Sequence, residues 1–346
     1  MKKSVLILCL LFVIPVIAFG AGVQDDETDD GNGGLVIYAY DSFVSEWGPG
    51  PVVIPIFEEK YGIDVTLLSM GDAGQVLSRA VLEKDNPQAD IILGIDNNLL
   101  PRALKEGVLA QYRSPRMDAV PEKLDLSPDG YLTPFDYGYF AVIYDSERIE
   151  NPPVSMDDLA DERFSNSLIL MDPRTSSPGL GFFLWVISEY GEQGYLEYFR
   201  KLEASILTVT EGWDSGYGLF TQGEAPLVLS YTTSPAYHVE YENTDRYRAA
   251  VFPEGHYMQI EGLGITAGAK NREAAELFID FALSAEFQSV IPLTNWMFPV
   301  VPGISLPESY DYAPRPEESI LLDPEQLETP LDNLIRSWVT MMGKIR

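Results

Sequence analysis

Short apolar runs alternate with amphipathic stretches along most of the chain. Residues 35–40 form a β-rich run, and 51–60 read as a helix stopped by Gly62. A strand is predicted over 63–69. Residues 74–84 follow with apolar positions at helical spacing (Val76, Leu77, Ala80, Val81), then an almost wholly apolar strand over 89–94 and a helix over 99–106 that ends at Gly107. The same grammar returns further on. Strands are predicted at 139–144, 168–171 and 226–231, helices at 178–190 and 194–204, and a short helical piece at 216–221. An edge strand falls within 246–252 and another strand at 261–267. A helix then starts at Arg272, with Asn271 as its expected N-cap and Ala274, Leu277, Phe278, Phe281 and Ala282 on one stripe. After a Pro-rich tail, an amphipathic helix begins at Leu331 and carries Leu334, Ile335, Trp338 and Met341 on its apolar side. Strands alternating with helices imply an α/β chain whose sheet is covered on both faces. No internal repeat or heptad is present.

The start of the chain obeys different rules. Lys2 and Lys3 precede an apolar run over 5–19 that contains Pro15. A spanning helix needs roughly 20 apolar residues, so this run, with small residues at Ala18, Gly20 and Gly22, reads as a secretory signal peptide over 1–20. Residues 21–34 are rich in acid and glycine and read as a flexible tether. Cys9, the one cysteine of the sequence, lies within the signal. An exported chain without a thiol excludes disulfides, cysteine metal sites and a cysteine nucleophile. Two histidines, His238 and His256, argue against a multi-histidine metal site and read as structural. With 53 acidic against 23 basic residues, a formal charge of −30, the chain is unsuited to nucleic acid and compatible with a cationic ligand. About 320 exported residues exceed one typical core, so two domains are expected.

Dense clusters of aromatics, small hydroxyls and carboxylates fall where predicted strands end, at 40–51, 71–74, 94–98, 135–140, 172–179, 212–213, 230–237 and 295–299. Strand ends face the ligand crevice in open α/β sheets, and this mixture suits a flat, hydrogen-bonding, cationic molecule. Each cluster also has a plainer reading. Trp213 is a ligand aromatic or a surface-packing one, and Trp296 sits in a context equally suited to the core. Asp72, between glycines, fits a turn. Ser177 and Pro178 fit the N-cap and first position of a helix, although a helix start with free N–H groups also attracts anions. No Gly-x-Ser-x-Gly, His-Glu-x-x-His or Walker loop occurs.

Several of these clusters resemble one family. Tyr-x-Tyr-Asp-Ser-Phe (38–43), Trp-Gly-Pro-Gly-Pro-Val-Val (47–53), Leu-Gly-Ile-Asp-Asn-Asn-Leu-Leu (93–100), Pro-Phe-Asp-Tyr-Gly-Tyr-Phe (134–140), Asp-Pro-Arg-Thr-Ser (172–176), Leu-Ser-Tyr-Thr-Thr-Ser-Pro-Ala-Tyr-His (229–238) and Asn-Trp-Met (295–297) are similar, in order, to the periplasmic thiamine-binding proteins. These are the solute receptors of bacterial thiamine ABC importers. The similarity runs from about 36 to 298 and fades in the tether and beyond Pro302.

The resemblance implies an α/β, two-lobed type II periplasmic-binding fold, each lobe a mixed, mostly parallel sheet flanked by helices, with the ligand cleft between lobes. Residues 35–135 with 266–346 would form lobe one and 136–265 lobe two, part of the C-terminal helices packing on lobe two. The ligand would be thiamine or its phosphates, the partner a membrane permease of an ABC importer, and the protein a periplasmic monomer with no cofactor, no metal and no catalytic role. Ligand positions carry over onto Asp72 and Ala73, Ser176 and Ser177, Trp213, Tyr231, Thr232, Thr233 and Ser234, and Trp296, with Tyr40 and Tyr237 as further aromatics. The family's Asp-Gly is Asp72-Ala73 here, and its Ser-Thr is Ser176-Ser177. The alternatives are a receptor for another small cationic solute, or a thiamine-cleaving enzyme of the same fold. The latter uses a cysteine, which the exported chain lacks.

Overall fold

The computed structural model describes residues 34–345. The expected signal peptide and nearly all of the tether lie outside the described residues. The strands are β1 (Leu35–Ala39), β2 (Val65–Ser69), β3 (Ile91–Asp96), β4 (Leu109–Ala110), β5 (Thr133–Asp145), β6 (Leu168–Met171), β7 (Ile206–Thr210), β8 (Leu227–Tyr231), β9 (Tyr247–Ala250), β10 (His256–Thr266), β11 (Phe298–Pro299) and β12 (Ser319–Ile320). The helices are α1 (Asp41–Val44), α2 (Gly50–Tyr61), α3 (Ala73–Leu82), α4 (Leu100–Glu106), α5 (Met156–Leu159), α6 (Ser177–Leu202), α7 (Trp213–Thr221), α8 (Ser234–Glu242), α9 (Arg272–Ala282), α10 (Ala285–Gln288), α11 (Ile291–Thr294) and α12 (Leu331–Ile345).

The main strands run in the order β2-β1-β3-β10-β5-β8-β6-β7. Their pairings fall into two sets joined by β5. Residues up to Tyr139 of β5 pair with β10 and β11, whereas Phe140 onward pairs with β8 and β9. Parallel pairing, expected to predominate, holds for β1 with β2 and β3 and for β6 with β7 and β8. The long β5 and β10 instead pair antiparallel with each other and with most of their neighbours, which corrects that expectation. Strands covered by helices on both faces bury all their side chains, and β3 and β6 are buried at every position.

The two helices expected at 178–190 and 194–204 are both present within α6, which breaks at Gly191, where only glycine readily adopts the non-helical backbone (φ 69°, ψ 170°). Two elements depart from the sequence pattern. β10 begins at His256 rather than 261. Its early polar residues disguise a strand, yet His256 is satisfied internally: Nδ1 donates to the Phe140 carbonyl at 2.7 Å and Nε2 accepts the Phe252 N–H at 2.8 Å. Asn271 stands at the N-cap of α9 but does not cap it; its amide donates to the Gly34 carbonyl at 2.8 Å. The C-terminal α12 packs on α6. Trp338 lies edge-on to Phe183 and Phe199, and the Tyr195 hydroxyl donates to the Leu334 carbonyl at 3.1 Å.

Candidate functional site

A cavity of about 710 Å³ opens where β1, α3, α6, α7, β8 and β10 converge. Six carboxylates line it, from Asp41, Asp72, Glu211, Asp214, Glu242 and Glu261, with no lysine, arginine or histidine among the described residues of its wall. Of the residues singled out from sequence, Tyr40, Asp72, Ser177, Trp213, Tyr231, Ser234, Tyr237 and Trp296 line the cavity. Ala73, Ser176, Thr232 and Thr233 stand behind the wall, all of them buried.

Asp72 is the N-cap of α3, in a capping box with Gln75. Its Oδ1 accepts the N–H of Ala73 at 2.7 Å and of Ser177 at 3.3 Å, and its Oδ2 accepts the N–H of Trp213 at 2.9 Å. The starts of three helices, α3, α6 and α7, therefore converge on one carboxylate, each contributing positive end-charge. Burial pushes the Asp72 carboxyl up, opposed by these N–H donors and by the Ser176 hydroxyl. Ser176, not Ser177, is the N-cap of α6; Ser177 and Pro178 are its first two residues, a shift of one from the sequence reading. The side chain of Ser176 accepts from Gly179 N, which leaves Ser177 to face the cavity.

Trp213 opens α7. Its indole stacks on Tyr217 (centroids 4.8 Å apart, planes at 17°) and its Nε1–H donates to Ser230 Oγ at 2.9 Å. Ser230 in turn shares a 2.8 Å hydrogen bond with Ser234. Trp47, half-exposed, lies 6.4 Å from Trp213 at the rim. The next residue, Asp214, turns its carboxyl to the cavity, and its Oδ1 is buried without a hydrogen-bond partner among the described residues. Burial, then the charges of Asp41 and Asp72, push Asp214 up to about 6. An aromatic face beside an unpaired carboxyl is the chemistry that holds an organic cation.

Trp296, also on the cavity wall, is buried edge-to-face against Tyr237 (5.4 Å, 85°) and Tyr241 (5.6 Å, 80°). Its backbone is left-handed (φ 55°), a conformation a tryptophan adopts at a cost of about 1–3 kcal/mol. The Trp296 N–H, bonded to Ile291 O at 3.1 Å, and the ring packing hold it there. Tyr231 is fixed by its hydroxyl on Gln259 Oε1 (2.7 Å), and Gln259 is fixed by Asp96 (3.0 Å). Tyr40 needs Gly94 (φ 99°) beneath it, because an added Cβ would overlap its ring. Burial, then Glu261 and Asp136, push the Tyr40 hydroxyl well up, so it remains a donor.

His238 and His256 lie behind the wall, fully buried. His238 bonds Tyr217 at 2.8 Å and Glu242 at 2.7 Å, supporting the Trp213–Tyr217 stack from the rear. Sequence reasoning did not single out Asp214 or Glu261 as site residues. Glu261 carried one usable signal, a lone carboxylate within a strand that is otherwise apolar from Ile260 to Ile265.

The chain is similar to known proteins in sequence and fold. The family model of bacterial extracellular solute-binding proteins matches residues 86–318, and so reaches past Pro302. The thiamine-binding periplasmic protein of Brucella abortus is 44% identical over 90% of this chain and 92% of its own length. Its counterpart from Escherichia coli is 42% identical over 88% of this chain and 92% of its own. A solved periplasmic thiamin binding protein superposes with a TM-score of 0.83 at 41% identity, covering 89% of this chain and 96% of its own. The two-lobed solute-binding fold expected from the sequence is the fold of this chain, and the protein belongs to the bacterial extracellular solute-binding family, in the branch whose curated members are named thiamine-binding periplasmic proteins.

Proposed function

We propose that the protein is an extracytoplasmic receptor that captures thiamine, with its phosphates as further ligands, and hands it to the membrane permease of an ABC importer. The observation that carries this is the cavity itself, with aromatic walls, six carboxylates and no cationic side chain among its described lining residues. Thiamine has a permanent thiazolium charge, a flat aminopyrimidine and a hydroxyethyl arm. Trp213 and Asp214 suit the cation, Tyr40, Tyr231 and Trp296 suit the flat rings, and Ser177 at the start of α6 suits the arm. The relatives' names as binding proteins agree with capture without turnover.

Titration calorimetry with thiamine tests the reading, and a one-to-one isotherm is expected. Absence of heat above dilution at excess thiamine would remove it. Chromatography of the same mixture for free pyrimidine separates capture from cleavage, and intact thiamine is expected.

A further inference from the structure

Four side chains from separate parts of the chain meet at one wall of the cavity: Tyr40 after β1, Asp136 of β5, Glu261 of β10 and Asn295 after α11. Glu261 and Asp136 are opposed in register across the β10–β5 ladder. Tyr40 Oη donates to Glu261 Oε2 at 3.1 Å, and Asn295 Nδ2 donates to Asp136 Oδ2 at 2.5 Å and to Tyr40 Oη at 2.9 Å. Asp136 is wholly buried and Glu261 is 5% exposed, with Glu261 on the cavity wall. No salt bridge reaches either carboxyl among the described residues. Asp136 Oδ1 is buried without a hydrogen-bond partner among those residues.

Two facing carboxyls without a cation cannot both ionise, so the pair retains a proton. Burial pushes both up, and the charge of Asp136 pushes Glu261 further. A pair that holds one proton presents an O–H donor and carboxylate acceptors side by side. The nitrogen edge of an aminopyrimidine is the complement, a ring-nitrogen acceptor beside an N–H donor. We propose that the Glu261–Asp136 pair reads this edge of the ligand, Glu261 making the contact and Asp136 setting its protonation, while Tyr40 and Asn295 fix the carboxyl planes. The proposal rests on the thiamine reading above and assigns the aminopyrimidine to this end of the cavity.

The test compares thiamine with the thiazolium that carries a benzyl group in place of the aminopyrimidine. Both keep the cation and the hydroxyethyl arm. The unmodified protein is expected to bind thiamine at least about tenfold more tightly, the worth of one hydrogen bond to a charged group. Glu261→Ala, which removes donor and acceptor together, is expected to erase most of that preference, weakening thiamine about tenfold and the benzyl compound little. Asp136→Asn, melted alongside to verify folding, is expected to narrow the preference in the same direction. Equal affinity of the unmodified protein for both compounds overturns the proposal and leaves the thiamine reading intact. Equal losses for both compounds in a folded Glu261→Ala variant also overturn it. Failure of the unmodified protein to bind thiamine overturns the thiamine reading and the proposal with it.

Discussion

The carboxylate of Asp72 accepts the backbone N–H of Trp213 at 2.9 Å, across 141 residues of sequence. With the Ala73 and Ser177 N–H groups on its other oxygen, this side chain gathers three helix starts into one wall of the cavity. Its acceptor capacity is largely spent on the protein, so its contribution to the ligand is the geometry of that wall. Asp72→Asn turns one oxygen into a donor that faces an N–H. A loss of about 1–3 kcal/mol in stability is expected. Affinity should fall alike for thiamine and for an uncharged analogue. Chemical denaturation and calorimetry check this, and a loss confined to the charged ligand would make Asp72 a counter-ion instead.

Trp213 offers its free face to the cavity while Tyr217 covers the other at 4.8 Å. A desolvated cation–π contact is worth about 2 kcal/mol, so Trp213→Ala should weaken thiamine by that amount. Trp213→Phe should recover part of the loss. Tryptophan emission should change on binding in the unmodified protein and change less in Trp213→Phe. Unaltered affinity in both variants would place the cation elsewhere.

The affinity for a permanent cation should depend on pH through Asp214, whose carboxyl is pushed up to about 6. A bound positive charge favours the ionised form, so binding expels the proton. Affinity therefore rises as the pH climbs through about 6 and flattens above it. Asp214→Asn should reduce this slope while Asp72, Asp136 and Glu261 remain. For the empty protein the sign is opposite. The folded-state value lies above the ordinary 3.8, so the stability that Asp214 contributes is complete below 3.8 and is lost as the pH passes about 6. Calorimetry across this range in both proteins measures the slope, and identical slopes would exclude Asp214 as its source.

Elements built from apolar runs were legible in sequence because burial and periodicity coincide there. The segment 168–171 was read at the residues where β6 lies, and 226–231 within one residue of β8. α8 was not read as a helix, because Ser-Pro-Ala-Tyr-His-Val-Glu-Tyr-Glu has no apolar stripe and is held by the rings of Tyr217, Tyr247 and Trp296. The aromatics of the site were legible as clusters at strand ends. Among its carboxylates Asp72 came with the resemblance, but Asp214 and Glu261 did not stand out, since burial separates them from other acids and burial is a property of the fold. Thr232 and Thr233 show the converse: their hydroxyls lie in the site's sequence cluster but are buried behind its wall without partners among the described residues.

Stability and binding should separate at α12. Trp338 is 5% exposed and packs on Phe183 and Phe199 of α6, and none of these three rings lines the cavity. Trp338→Ala should cost about 3–5 kcal/mol of stability. Thiamine affinity, measured where the variant is still folded, should stay within a factor of about two, as for distant sites with no shared partners. A matching loss of affinity would show that the seat of α12 is transmitted along α6 to Ser177.

The cavity draws its walls from both sides of the change in strand pairing along β5, which suggests how ligand and fold are coupled. Tyr40 and Asp72 lie in the segment before β5, whereas Ser177, Trp213 and Tyr231 follow it. The Asp72 hydrogen bonds to Ser177 and Trp213 tie the two sides together. β5 changes partners between Tyr139 and Phe140, and with β10 it is the natural place for small backbone rotations to accumulate. A ligand that touches both sides favours their approach by its differential affinity for the closed form. Solution scattering should therefore show a smaller radius of gyration with saturating thiamine than without. Asp72→Asn, which weakens the ties, should enlarge the ligand-free radius or leave more of the change to the ligand. A scattering profile that thiamine leaves untouched would identify a preformed pocket, with the Asp72 ties closed before the ligand arrives.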